Sequence, residues 1–390
     1  MKHDPNDILA RIAETAVERI LQALGNNSVL AVFLSGSAAR GRIAWFDGGE
    51  RLEIYSDLDI SVVVSNNSRW EECRRRARAA AATVSLEGEH FKIFRPPDVG
   101  VYTLEDLGRQ PARPGTVDVA AAHRLLYGDP AVPATLSKLA GMPMSGQEAL
   151  YLMENRLLEQ ADLLKALPDS PSPGTGRFLS YTALKAGQDA GAALLIFANR
   201  FSSDPADWPA RLRAAADAPE TASLFPEGAL ESIERSLDAL RDLAAFLGRE
   251  EPAGLAEWSR VERLILAVWF NIAARLYPGV PSNWAGLTAA RCRRGRTVSN
   301  IREFRLLARR SKIGALPAVL MGVLGRRFSP LSAMRLAGLV QSVAGREVAG
   351  PEETEMKKMF LPYLDRLTRL LNKPSGDILN RARTLYRELG

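Results

Sequence analysis

Hydrophobic and polar residues follow two different rhythms along this chain, and the change between them divides it. Up to about residue 146 the pattern alternates between helix and strand. Ile8, Ile12, Val17, Ile20, Leu21 and Leu24 recur at helical spacing and predict an amphipathic first helix. A short apolar run at 29–34 predicts a strand that ends in the small residues Ser35-Gly36-Ser37. A second run at 57–64 predicts another strand, followed by an Arg- and Ala-rich helix near 68–84 and strand candidates near 90–95 and 98–103. Between the first two strands, Asp47-Gly48 separates two short apolar-bearing runs within residues 43–54, the signature of an inserted hairpin. These elements predict an α/β domain with a small mixed sheet over residues 1–146.

Beyond that point the rhythm is helical. Residues 147–167 and 178–199 carry apolar positions at helical spacing and flank a loop rich in Pro, Ser and Gly at 168–176. Residues 204–218 read as a Pro-, Asp- and Ala-rich connection, with further helices at 227–247 and 258–276. Trp258, Leu264, Trp269, Phe270 and Leu276 read as core rather than as a base-stacking platform. The expected organisation is therefore the α/β domain, an all-α bundle over 147–280 and a basic helical region over 281–390.

Candidate chemistry concentrates in the first domain. Val32-Phe33-Leu34-Ser35-Gly36-Ser37 ends a strand in residues small enough for backbone N–H groups to approach an anion. Further on, Ser56-Asp57-Leu58-Asp59-Ile60 leads into a run of branched apolar residues. Side chains alternate across a strand, so Asp57 and Asp59 point the same way while Leu58, Ile60 and Val62 point the other. Two carboxylates so close raise each other's pKa, a penalty that a bound divalent cation reverses.

Together these residues resemble the DNA polymerase β-type nucleotidyltransferase superfamily, whose pattern is an apolar strand, Gly-Gly or Gly-Ser, a short helix, then apolar-Asp-apolar-Asp-apolar. The gap between the motifs is longer here than the family pattern, and the hairpin insertion accounts for the excess. The resemblance implies an α/β nucleotidyltransferase domain followed by a helical bundle, Mg2+ or Mn2+ as cofactor, and an NTP as substrate. Asp57 and Asp59 become metal ligands, and a third carboxylate on a neighbouring strand is required. Asp98, which opens a strand-like run into a helix, is the expected catalytic and metal-binding partner. Asp118 competes for the role, although Thr116 or Asp118 equally well starts a helix that runs on through 121–128. Gly36, Ser37 and Arg40 would hold the phosphates, with a solvated surface role as the plain alternative for Arg40. Lys185, in a helix of the bundle, matches more loosely a lysine that reaches the triphosphate in such enzymes. An intrahelical pair with Asp189 at i, i+4 is its alternative.

Other chemistries lack a motif. There is no Walker-type loop, no G-x-G-x-x-G after a strand and no G-x-S-x-G elbow. His3, His90 and His123 have no zinc-ligand spacing, and Cys73 and Cys292 are far apart and expected to be free thiols. The N-terminal residues lack the continuous apolar stretch of a signal peptide, which predicts a cytoplasmic protein with no transmembrane segment. Charge is unevenly distributed. Residues 291–346 hold thirteen Lys or Arg against the single acid Glu303, a net +12 in a chain of +6, so the remainder is near −6. This run, from Arg291 through Arg326 and Arg327, suits a polyanion, nucleic-acid or anionic-membrane contact, or else a buried helix with arginines on its wet face.

The expected activity is transfer of an NMP from an NTP to a hydroxyl of a small molecule or glycan, with release of pyrophosphate. The alternatives are a cyclic or linear oligonucleotide second-messenger synthase whose basic region senses nucleic acid, and a catalytically silent nucleotide- or partner-binding protein.

Overall fold

The computed structural model describes residues 4–279, apart from residue 50 and residues 66–69, 167–171 and 249–253, together with Leu287. The basic run from Arg291 onward, and Cys292 with it, lies outside the described residues. An N-terminal mixed α/β region with small mixed sheets is followed by a helical region. The elements in chain order are α1 (Pro5–Leu24), β1 (Val29–Ser35), α2 (Gly36–Ala39), β2 (Trp45–Asp47), β3 (Leu52–Ile54), β4 (Asp59–Val64), α3 (Trp70–Ala81), β5 (Phe91–Ile93), β6 (Asp98–Thr103), α4 (Leu104–Gly108), α5 (Pro114–Ala121), β7 (Arg124–Gly128) and α6 (Ala131–Ala134). The helical region contributes α7 (Gly146–Ala166), α8 (Pro173–Phe197), α9 (Trp208–Asp217), α10 (Ala229–Arg241), α11 (Leu243–Leu247) and α12 (Gly254–Leu276).

The principal sheet runs β6-β4-β1-β7, with β4 and β6 parallel and β1 antiparallel to both of its neighbours. Its central strands are buried on both faces, and the period of two sorts their side chains into two cores. Val32 and Leu34 of β1, Ile60, Val62 and Val64 of β4, and Val99 and Val101 of β6 pack with α1 and α3. Ala31, Phe33 and Val63 pack on the other side with Leu107, Val132, Leu136 and Leu139. Asp59 shares the parity of Val63, so the second face carries the acidic residue at its strand end. Helix α1 starts where Asp4 accepts a hydrogen bond from the Asn6 amide and Pro5 takes the first turn, and it ends at Gly25.

The inserted hairpin forms as expected: β2 and β3 pair antiparallel, and β3 pairs parallel with β5 in a second sheet. Its role is to receive α8. Glu53 accepts from Arg177 Nε at 2.8 Å and Arg177 Nη2 at 2.7 Å, and from the Tyr55 hydroxyl at 2.5 Å. The Arg177 guanidinium lies 4.7 Å from the centroid of the Phe46 ring. Beneath this clamp the fully buried Tyr55 packs against Tyr181, Phe178 and Phe94, with ring centroids 5.5, 6.2 and 5.3 Å away. Burial raises the Glu53 carboxyl, but the Arg177 and Tyr55 hydrogen bonds outweigh it and its pKa lies below the ordinary value.

Four elements depart from the sequence reading. Residues 121–128 do not continue a helix. After Ala121 the chain turns and β7 pairs with the open edge of β1, because ladder partners override the local helical spacing of Leu125, Leu126 and Tyr127. Gly128 ends this strand at φ +89, where a Cβ would stand 2.1 Å from the Leu30 carbonyl oxygen. Residues 173–176 are the first turn of α8 rather than loop: Ser172 caps it by accepting from the Thr175 amide, and Pro173 occupies the start. Residues 208–217 form α9, whose buried Trp208, Leu212 and Ala215 fall at i, i+4 and i+7 with Pro209 in the first turn. The helix expected over 227–247 breaks at Asp242, which has φ −121 and ψ 60.

The described residues fall into two compact units, one drawn from residues up to 149 and from 172–264, the other from 150–166 and from residue 265 onward. Within the second, the indole N–H of the buried Trp269 donates to Glu154 Oε1 at 3.2 Å, so this tryptophan is core. Trp258 is likewise buried, in the first unit. Among the described residues no helix is long and apolar enough to cross a membrane.

Removing one partner of the clamp leaves the other charge stranded in a largely buried place. Arg177→Met is expected to cost about 2 kcal/mol in urea unfolding, and Glu53→Gln added to it should recover much of that loss. Equal stability of Arg177→Met and wild type would show that the clamp does not hold the hairpin.

Candidate active site

The loop after β1, the start of β4 and the start of β6 meet at one end of the principal sheet. Ser35 pairs with Asp59 across the antiparallel ladder, and Asp59 pairs with Asp98 across the parallel one. Register therefore sets the two carboxylates side by side on neighbouring strands. Asp57, two residues before Asp59 in the approach to β4, adds a third charge. Gly36 has φ +69, and a Cβ there would lie 2.4 Å from Asp59 Oδ2, so only glycine lets the corner close against that carboxylate.

Asp59 feels this crowding. Burial and the neighbouring charges of Asp57, Asp98 and Asp118 push its pKa up to about 7, against a smaller lowering by Lys185. Asp118 arrives from a helix. Pro114 starts α5, Thr116 accepts a hydrogen bond from the Arg113 amide, and Asp118 falls in the interior, so neither Thr116 nor Asp118 is the cap. Arg40 Nη1 donates to Asp118 Oδ1 at 2.5 Å, and the Gly36 amide donates to the same carboxylate. Burial nevertheless raises the Asp118 pKa, with Arg40 and Lys185 opposing. Arg40 is thus an ion-paired residue of the site, with 17% of its side chain exposed, rather than a solvated surface arginine.

The structure brings Asp57, Asp59, Asp98, Gly36, Arg40 and Lys185 into one electrostatic neighbourhood, and Asp118 joins them. Lys185 donates to Gln188 Oε1 at 2.8 Å, and its charge acts on Asp59 and Asp118. Ser37 Oγ donates to Ser56 Oγ at 3.3 Å, Ser56 Oγ accepts from the Ala44 amide at 2.8 Å, and a hydrogen bond joins Ser56 to the Tyr181 hydroxyl. Burial raises the Tyr181 pKa and keeps the phenol neutral. Arg95 Nη1 stands 3.9 Å from Asp57 Oδ2, its guanidinium 5.5 Å from the Phe178 ring centroid.

Sequence reasoning assigned no role to Ser56, Tyr181 or Arg95. Ser56 stands directly before the acidic pair. Tyr181 precedes Lys185 by one helical turn and so shares its face, which is a usable signal. Arg95 had only its place at the end of a strand candidate.

The donors suit a hard divalent cation: Asp57, Asp59 and Asp98 offer oxygens only, and a cation would relieve the repulsion that raises Asp59. Among the described residues no group of three or more His, Cys, Asp or Glu is placed so that it could hold a metal ion, Asp57, Asp59 and Asp98 included. Mg2+ does not require such a group, since it is commonly held by one or two carboxylates with substrate phosphates and water completing its shell.

No protein-family model matches this chain, and no curated protein matches it.

Because the folded protein holds the Asp59 proton more tightly than the unfolded chain, the stability that this group contributes is complete below about pH 4 and is lost as pH rises through about 7. Without metal at pH 8, Asp59→Asn should raise the melting temperature by about 5 °C or more, a gain that vanishes at pH 4. A variant no more stable than wild type at pH 8 would contradict the crowding.

Proposed function

We propose that this chain is a nucleotidyltransferase that moves an NMP from an NTP to a hydroxyl of a small molecule or glycan and releases pyrophosphate. The observation that carries this reading is the electrostatic coupling of Asp57, Asp98 and Asp118 to the half-buried Asp59, beside a glycine corner and with Arg40 and Lys185 acting on the same group of acids. Negative groups crowded this closely are costly unless a cation joins them, and cationic groups held beside them suit the phosphates that come with it. The Asp-x-Asp and Gly-Ser motifs that prompted the resemblance are the same residues.

In this reading Ser37, the Gly36 amide, Arg40 and Lys185 bind the polyphosphate and align the α-phosphorus. Asp57, Asp59 and Asp98 would hold Mg2+ or Mn2+, which when bound neutralises charge on the phosphates and acidifies the acceptor hydroxyl. Asp98 is exposed at its strand end, within reach of an acceptor. It takes the hydroxyl proton as the acceptor oxygen bonds to the α-phosphorus and the bond to the β-phosphate oxygen breaks. The electron pair leaves with pyrophosphate.

Purified protein incubated with Mg2+ or Mn2+, each NTP and a panel of hydroxylated acceptors should release pyrophosphate. Asp57→Ala and Asp59→Ala should abolish the release, and Asp98→Asn should slow it by about 10²-fold or more. No release by wild type with any combination, or full activity in Asp59→Ala, would overturn the proposal.

A further inference from the structure

Asp118 does not behave like the other three acids. Its carboxylate accepts from Arg40 Nη1 at 2.5 Å and from the Gly36 amide, and it lies within the field of Lys185. Three positive or donor groups converge on one anion. They are also groups that a triphosphate would need. The seat is largely covered but reaches solvent, since 28% of the Asp118 side chain and 17% of that of Arg40 are exposed. The helix that carries Asp118 also has space beside it. Val117 and Ala121, one turn apart on α5, line a cavity of about 300 Å3 together with Met142, Met144, Ile196 and Phe201.

Resting on the nucleotidyl-transfer reading, we propose that Asp118 is an internal competitor for the phosphate seat, its carboxylate standing in for a phosphate oxygen until a nucleoside polyphosphate displaces it. A carboxylate brings one negative charge and two acceptor oxygens, whereas a terminal phosphate brings more charge and three. The exchange therefore favours a polyphosphate and disfavours weaker anions, which makes Asp118 a selectivity element rather than a metal ligand. On displacement, the carboxylate turns away from Arg40 or α5 shifts toward the cavity. Every ligand that enters must first open the seat, so apparent affinity is reduced by the fraction of molecules in which it is already open.

The test is calorimetric titration of the full chain with sodium tripolyphosphate in EDTA. Asp118→Asn should bind about tenfold more tightly than wild type, and Arg40→Met should bind more weakly than both. Equal or weaker binding by Asp118→Asn, or no binding by either protein, overturns the inference. A second measurement needs no variant. In the 13C spectrum of the wild-type protein, saturating tripolyphosphate should shift the Asp118 carboxyl resonance as it parts from Arg40, and an unshifted resonance would count against displacement. Pyrophosphate release from NTPs without the affinity gain would sink this inference alone. The gain without any release would sink the nucleotidyl-transfer reading and leave a polyphosphate seat guarded by Asp118.

Discussion

Electrostatic repulsion at one sheet end is the constraint around which this fold is arranged. Burial, and after it the charges of Asp57, Asp98 and Asp118, push the pKa of Asp59 up to about 7, because like charges in a partly desolvated place disfavour one another. The strands that deliver them are secured by apolar layers on both faces, so the acids cannot relax apart without disturbing Val62 and Val63 on opposite sides of β4. Stability gained in the two cores offsets the unfavourable charge at the rim. Such an arrangement is what a cation-assisted site requires, since its charges must be in place before the ligand arrives.

The hairpin insertion serves the same end by a different route. Glu53 and Tyr55 grip Arg177 and the aromatic face of α8, and the grip fixes where the next turns of that helix fall. Tyr181 and Lys185 lie one and two turns beyond Arg177 on one face. A helix seated through Arg177 thus brings a neutral phenol to Ser56 and a positive charge to Asp59 and Asp118. The segment that lengthens the gap between the motifs is therefore a structural part of the site, coupling β3 to the cation-bearing helix.

Much of this was legible because period and motif agree. The apolar runs at 29–34 and 57–64 fall on β1 and β4 because a strand buried on both faces needs continuous apolar residues, and the Asp-Gly turn marks the hairpin because few residues accept its backbone. Asp98 was legible from its place at the head of a strand run, and the ladder sets it opposite Asp59. What stayed hidden depends on distant partners. Leu125, Leu126 and Tyr127 join β7 because β1 has an open edge, which no local window contains. The pairing of Arg40 with Asp118 spans 78 residues, and Arg177 with Glu53 spans 124. Residues 204–218 misled for a local reason: their Pro, Asp and Ala content suggests a connection, whereas Pro209 falls in the first turn of α9.

Asp98 and Asp118 differ in their surroundings rather than in their closeness to the motif. Both act on Asp59. Asp98 sits exposed at a strand end, with no ion-pair partner among the described residues, so its oxygens are available to a cation or a proton. Asp118 is enclosed by an arginine, a backbone amide and a nearby lysine, so its oxygens are already engaged. A carboxylate's chemistry follows from what surrounds it. The open one suits metal binding and proton transfer, and the engaged one suits holding cationic groups in readiness. In the proposed reaction the third acid is the one on the strand, and the fourth, on the helix, holds Arg40.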